Sequence, residues 1–292
     1  MDKSLCAAAV QFNIVLGDVD QNLVRAAAGL ERAAKQGAQL AVLPEMWSAG
    51  YDYKRLDKHA EKTPGVLDAV SGWSAQFGLV VVGSLPEKMD DRIYNTAYVI
   101  DRGEILDSYR KLHMFSTMGE DRFLSPGDRS LVVSTSAGRL GVAICYDLRF
   151  PELFRKMALE GAEVICLPAE WPKPRQEHWR TLLRARAMEN QLFVVATNCC
   201  GIQGKLDFFG MSLLLSARGD VLAEGGETDA VPLAVFDYQE MLDYRAQIRC
   251  YDDRRPATAV AAGLFLANHE EIVPAGPADQ KWFYRLPHSH RQ

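Results

Sequence analysis

Short apolar runs alternate with amphipathic segments along most of this chain, and the alternation restricts it to an α/β architecture. In residues 20–36 the apolar positions recur at helical spacing, and Gly37 follows as a suitable helix stop. Pro151 opens a later helix in the first turn, where proline is tolerated. Helices are predicted at residues 20–36, 66–77, 151–159 and 176–190. Strands are predicted at residues 5–12, 40–43, 79–82, 94–100, 105–109, 140–144, 164–167, 192–197, 211–216 and 221–222.

The two halves of the chain resemble each other. Residues 37–44 (GAQLAVLP) match residues 161–168 (GAEVICLP), and residues 102–106 (RGEIL) match residues 218–222 (RGDVL) in the same order. Helix–strand–turn patterns are common, so each match alone is weak, but their order is informative. We expect two copies of one α/β half, whose sheets form a two-layer core covered by helices.

No Gly-, Ser- or Pro-rich linker separates the halves, so residues 1–256 are predicted to form one domain. Residues 257–292 have weaker periodicity and contain three prolines. They are predicted to be a C-terminal tail, either an arm that contacts a neighbouring subunit or a loose segment.

Charge and cysteine content narrow the functional classes. The 292 residues carry a formal net charge of -5 with both signs interspersed, so neither nucleic acid nor an anionic membrane is an expected partner. No apolar run reaches the roughly 18 residues needed to span a bilayer. The first residues lack the apolar core of a signal peptide. The six cysteines show neither metal-ligand nor disulfide spacing, which favours a cytoplasmic protein with reduced thiols.

Three polar residues follow predicted strands at the positions where α/β proteins collect their sites: Glu45, Lys111 and Cys145. Taken singly, a glutamate here is more often a surface charge, and a cysteine is more often part of the core. The helix that begins at Pro151 favours Cys145 as a nucleophile, because a helix N-terminus stabilises a thiolate.

The sequences around these residues resemble the nitrilase (carbon–nitrogen hydrolase) superfamily, in order, from about Ala7 to Arg255. The matching segments are LPE at 43–45, YRKLH at 109–113, LSPGD at 124–128, GVAICYDLRFPELFR at 141–155, HWRTLLRARAMEN at 178–190 and GMS at 210–212. The resemblance implies a four-layer αββα sandwich with two pseudo-equivalent halves. It also implies that the protein forms a homodimer or larger homo-oligomer. By the same resemblance, the enzyme is expected to need neither a metal nor an organic cofactor.

The same resemblance assigns roles to the polar residues. Cys145 is expected to attack a substrate carbonyl and form a thioester, with Glu45 as general base. Lys111 is expected to stabilise the oxyanion together with backbone N–H groups near Tyr146. Glu120 lies in the stretch where related enzymes often carry a second glutamate that orients the catalytic groups.

Other neighbours are candidates for binding the substrate. They are Tyr51, Tyr146, Arg149 and Trp171. Arg149 suits a substrate carboxylate, although a structural pair with Asp147 is an alternative. Glu170 stands where the resemblance leads us to expect asparagine, which alters the polarity of that wall.

The segment from Cys145 to Arg155, together with WPKPR at 171–175 and His178-Trp179, looks most like the ω-amidase branch. Those enzymes release ammonia from ω-amides of dicarboxylic acids such as 2-oxoglutaramate. An N-carbamoyl amino acid or amine amidohydrolase and a short-chain aliphatic amidase are the main rivals. A catalytically inactive binding scaffold would have lost one of the three central residues, and a thiol-redox protein would need a resolving cysteine near Cys145. The sequence shows neither feature.

Overall fold

The computed structural model describes residues 4–255, so the predicted tail at 257–292 lies outside the described residues. Strands β1 to β14 and helices α1 to α5 lie in one compact unit that ends at Ile248. The strands are β1 (Ser4–Ala9), β2 (Leu40–Val42), β3 (Val80–Met89), β4 (Arg92–Asp101), β5 (Glu104–Arg110), β6 (Leu131–Thr135), β7 (Gly138–Val142), β8 (Val164–Ala169), β9 (Phe193–Asn198), β10 (Cys200–Gln203), β11 (Leu206–Phe209), β12 (Leu213–Leu215), β13 (Val221–Glu224) and β14 (Leu233–Asp237). The α-helices are α1 (Val19–Lys35), α2 (Leu56–Phe77), α3 (Pro151–Leu159), α4 (Gln176–Asn190) and α5 (Tyr238–Gln247). In the part of the chain that is described, no helix is both long and apolar enough to cross a bilayer.

Twelve of the described strands form two mixed six-stranded sheets of matching design, and β10 and β11 pair as a separate two-stranded sheet. The first has the order β14-β1-β2-β3-β4-β5 and the second the order β6-β7-β8-β9-β12-β13. In each sheet three central strands run parallel, and the flanking strands pair with them antiparallel. The repeated order confirms the two pseudo-equivalent halves that were predicted from the sequence.

The two sheets pack face to face between helices. Thr197 on β9 donates a hydrogen bond from its hydroxyl to the carbonyl oxygen of Val42 on β2, at 3.0 Å, and so joins the two sheets. Helices α1 and α2 cover the first sheet with a buried apolar cluster that includes Leu30 and Val70. Helices α3 and α4 pack against each other, and α4 covers β9 and β12 of the second sheet. The result is the predicted four-layer αββα sandwich.

Helix α2 begins ten residues before the predicted start at residue 66. Pro64 and Gly65 interrupt the helical pattern in the sequence, since proline removes a backbone hydrogen bond and glycine weakens a helix. The structure nevertheless continues the helix through Pro64. Residues on either side of it are buried, and Thr63 donates its hydroxyl to the carbonyl oxygen of Pro86 at 2.5 Å. Tertiary packing therefore outweighs the local helix breakers.

Candidate active site

The ends of β2, β5 and β7 bring the three predicted polar residues to one region between the sheets. Glu45 follows β2, Lys111 follows β5, and Cys145 follows β7. The end of β8 lies beside them, because the backbone N–H of Glu45 donates to the carbonyl oxygen of Ala169, the last residue of that strand, at 3.4 Å. The backbone N–H of Glu170 in turn donates to Glu45 Oε2 at 2.9 Å. Strand ends from both halves are thus needed to build the site.

Lys111 lies between two carboxylates. Its Nζ donates to Glu45 Oε1 at 2.9 Å and to both oxygens of Glu120 at 2.7 and 2.8 Å. The three side chains are 1%, 0% and 2% exposed, respectively. Burial opposes a charge on Lys111, but Glu45 and Glu120 outweigh it and raise the lysine pKa well above its usual value. Lys111 is therefore a fixed cation.

Neighbouring donors complete the coordination of both carboxylates. The Tyr51 hydroxyl lies 2.6 Å from Glu45 Oε1 and 3.1 Å from Glu120 Oε1. Asn95 Nδ2 donates to Glu45 Oε1 at 2.8 Å, and the backbone N–H of Phe115 donates to Glu120 Oε2 at 2.7 Å. Sequence analysis missed Asn95, although a polar residue within the apolar strand β4 was a signal. These bonds hold the two acids in one orientation.

Cys145 adopts a backbone conformation that is rare for a residue other than glycine, with φ 47°. Strain of this kind is concentrated at functional sites. The thiol points at the carbonyl oxygen of Glu170, 3.8 Å from Sγ. Burial, followed by the charge of Glu45, raises the thiol pKa well above its usual value, although Lys111 opposes the shift. The resting group is a neutral thiol that needs a base.

The α-helix whose N-terminus favoured Cys145 as the nucleophile in the sequence does not begin at this residue. Cys145 begins a short 3₁₀ turn, Cys145–Arg149, and α3 begins only at Pro151. A single turn offers a weaker dipole than an α-helix, and dipole effects fall off within one turn. Loss of hydration in the buried site outweighs it.

Asp147 anchors this turn to the end of β5 and to the residues that follow it, next to Lys111. Its Oδ2 accepts from the backbone N–H of Ile144 at 2.9 Å and from the Tyr109 hydroxyl at 2.8 Å. Its Oδ1 lies 3.0 Å from the backbone nitrogen and 2.7 Å from Nδ1 of His113. Among the described residues Asp147 has no ion pair with Arg149, so the alternative pairing of those two residues is not formed.

A small cavity opens beside the thiol. It contains three of the four predicted substrate-binding residues, whereas Tyr51 lies against the carboxylates instead. The lining residues are Phe115, Cys145, Tyr146, Arg149, Glu170, Trp171, Pro172 and Arg175.

Two arginines give this cavity a positive wall. The Arg149 guanidinium lies 5.0 Å from the Trp171 ring centroid and 5.9 Å from that of Tyr146, and Arg175 lies 5.4 Å from the Phe115 ring centroid. Neither arginine forms an ion pair with a carboxylate within residues 4–255. Arg175 was not among the substrate-binding candidates taken from the sequence, since nothing in its local pattern indicated the cavity. Arg149 does lie 3.4 Å from His178 Nδ1. Guanidinium groups on aromatic faces that have no carboxylate partner suit an anionic ligand.

Comparison with known proteins agrees with this architecture. Residues 6–245 match the family described as carbon-nitrogen hydrolase. The chain is 39% identical over 257 residues to the 2-oxoglutaramate amidase of Bacillus subtilis (strain 168), an alignment that covers 84% of this chain and 96% of the relative. The crystal structure of Saccharomyces cerevisiae Nit3, a member of branch 10 of the nitrilase superfamily, superposes with a TM-score of 0.79 at 32% identity, and covers 84% of this chain and 94% of that one.

A third comparison bears on the cysteine. A variant of the amidase from Nesterenkonia sp. AN1 is similar, with a TM-score of 0.76, 28% identity, and coverage of 85% of this chain and 99% of that one. Its structure shows the result of Michael addition of acrylamide at the active-site cysteine. Cys145 stands in the place expected for such a cysteine. By sequence and fold the chain belongs to the carbon–nitrogen hydrolase family, and it is an amide-cleaving enzyme.

Proposed function

We propose that the enzyme is an ω-amidase, which hydrolyses the terminal amide of a dicarboxylic acid monoamide such as 2-oxoglutaramate. The observation that carries the proposal is the cavity, which is lined both by the Cys145 thiol and by Arg149 and Arg175, two cations without a carboxylate partner among the described residues. A substrate with an amide at one end and a carboxylate at the other matches both features. The similarity to a 2-oxoglutaramate amidase supports the same substrate class.

In the proposed reaction Glu45 accepts the thiol proton as Cys145 attacks the amide carbon. A C–S bond forms and the carbonyl π electrons move to oxygen. When the C–N bond breaks, Glu45 returns the proton to the departing nitrogen, and ammonia leaves a thioester. Glu45 then takes a proton from water as its oxygen attacks the thioester, the C–S bond breaks, and Glu45 returns that proton to the departing sulfur, which releases the acid and the thiol. Because the resting thiol is neutral, the base is essential to the first step.

Lys111 is proposed to stabilise the negative charge that develops on the carbonyl oxygen, together with backbone N–H groups near Tyr146. The lysine is held in place before the reaction, so little reorganisation is needed, and such a donor is typically worth roughly 3–4 kcal/mol in the transition state. Glu120 is proposed to position Lys111 through its two short hydrogen bonds. Arg149 and Arg175 are proposed to bind the distal carboxylate, and Trp171 to form the wall between them.

The test is ammonia release from 2-oxoglutaramate, succinamate, an N-carbamoyl amino acid, butyramide and a simple nitrile. We expect a strong preference for the first two, and no turnover by Cys145→Ala. A preference for the carbamoyl compound or for butyramide would reject the ω-amidase proposal in favour of the corresponding rival. Full activity of Cys145→Ala would reject the thioester mechanism.

We also propose a homodimer or larger homo-oligomer in the cytoplasm. Apolar side chains are exposed on three helices, with Leu159, Met188 and Leu242 each 45–51% exposed, and association would remove such surface from water. Light scattering coupled to size-exclusion chromatography tests the state directly. A monomer at micromolar concentration would contradict the proposal.

A further inference from the structure

Glu170 carries a buried carboxyl group that the roles proposed above do not use. The residue follows β8 and is 4% exposed. Both side-chain oxygens are buried, and neither has a hydrogen-bond partner within residues 4–255. Burying a polar group without a partner is costly, and proteins retain such a cost mainly at functional positions. The carboxyl group therefore has hydrogen-bonding capacity available for a ligand.

The position of Glu170 identifies which part of a ligand it meets. Its backbone N–H donates to Glu45, and its backbone carbonyl accepts the Cys145 thiol. The residue also lines the cavity beside that thiol. Its side chain therefore starts between the proposed nucleophile and the proposed base. The leaving nitrogen of a bound amide has to lie in the same place, because Glu45 must pass a proton to it.

The charge state of Glu170 suits this location. Burial, followed by the charge of Glu45, raises the pKa of Glu170 well above its usual value, although Lys111 opposes the shift. The group is therefore a neutral acid, with a carbonyl oxygen that accepts and a hydroxyl that donates. It can accept an amide N–H without adding a further negative charge beside Glu45 and Glu120.

We propose that Glu170 is a specificity-determining residue, whose carboxyl accepts a hydrogen bond from the leaving NH₂ of a primary amide and so selects amides over esters. A carboxamide offers two N–H donors at this point, whereas the alkoxy oxygen of an ester offers none. A bound ester would thus leave the buried carboxyl unpaired. The proposal rests on the proposed roles of Cys145 and Glu45, and it is independent of which acyl group the enzyme prefers.

The experiment compares kcat/KM for a primary amide and the methyl ester of the same acid, using whichever acyl group the wild-type enzyme cleaves. A failure of the ω-amidase proposal would therefore change only the substrate pair. Glu170→Met keeps the approximate shape but removes the polar group, and we expect amide kcat/KM to fall about tenfold or more while the ester changes less than about threefold. Glu170→Gln keeps a carbonyl acceptor, so it should retain the amide-to-ester ratio within about threefold. If Glu170→Met does not fold, Glu170→Ala serves the same comparison.

Phe115→Leu is the matched control, because it changes the shape of the same cavity without removing a polar side chain. It should change the amide and ester rates in parallel. Equal losses on both substrates in Glu170→Met would show a structural role and overturn the proposal. Wild-type rates on both substrates in Glu170→Met would overturn it too. So would a fall in the amide-to-ester ratio of kcat/KM in Glu170→Gln as large as the fall in Glu170→Met.

Discussion

Replacing Lys111 by methionine tests the charge cluster at the centre of this enzyme. The substitution keeps an unbranched side chain one atom shorter but removes three hydrogen bonds of 2.7 to 2.9 Å to Glu45 and Glu120. Both carboxylates, which are at most 2% exposed, would lose their only buried cation within the described residues. Removing one partner of a buried ion pair typically costs about 3–5 kcal/mol.

For a domain of this size about 1 kcal/mol corresponds to a change in Tm of roughly 2–4 °C, so Lys111→Met should lower Tm by about 6–20 °C. Differential scanning calorimetry measures the change. Loss of the oxyanion donor should also reduce kcat by at least about 100-fold.

A double-mutant cycle with Glu120→Gln separates the electrostatic origin of the loss from a packing defect. Glu120→Gln removes one of the two like charges, so Lys111→Met should be less destabilising in the Glu120→Gln background, with a coupling of at least about 1 kcal/mol. Activity should stay low in the double variant, since the oxyanion donor is still absent. Additive effects on Tm, or a drop of less than about 2 °C in Lys111→Met, would refute the assignment of Lys111 as the counter-charge.

Three further predictions follow from the site. Arg149→Gln should raise KM for an ω-amide about tenfold or more and leave kcat/KM for butyramide within about threefold, because only the ω-amide carries a carboxylate; parallel losses in steady-state assays would exclude the carboxylate contact. Asp147→Asn should lower the free energy of unfolding by about 1–3 kcal/mol in urea titrations, since a buried acceptor of several N–H and O–H groups is weakened; an unchanged midpoint would contradict its anchoring role. Because the pKa of Glu170 is raised, the folded protein keeps a proton on this residue that the unfolded chain releases above about pH 4.5, so the contribution of Glu170 to wild-type stability should fall as pH rises from there toward the folded pKa. Glu170→Gln should lack this decline, so the Tm of the variant minus the Tm of wild type should increase between about pH 5 and pH 7. A difference in Tm that does not change with pH would show that Glu170 is ionised in the folded protein.

The sequence alone determined the fold class and the two-half organisation, because both can be recognised from short segments of the chain. These segments are the alternating apolar and amphipathic runs and the motifs that recur in the second half. Alternating strands and helices indicated α/β, and the repeated GA-x-(L/V)-x-x-LP pattern indicated two halves, which the matching strand orders confirm. Local signals also located Glu45, Lys111 and Cys145, since each follows an apolar strand. Local reasoning was wrong where tertiary contacts prevailed, as in α2, which continues through Pro64.

Only the tertiary structure decided which side chains meet and in what charge state. Lys111 lies 66 positions from Glu45 in the sequence, yet the two are joined at 2.9 Å because strand ends from different parts of the chain converge. Asn95 and Arg175 became recognisable as parts of the site only through their neighbours in space. The raised pKa values of Cys145 and Glu170 depend on burial, which no local pattern specifies. The residue type determines which reactions a side chain can take part in. Its loss of hydration and its contacts with residues distant in the sequence determine its charge state and its partners in the folded protein.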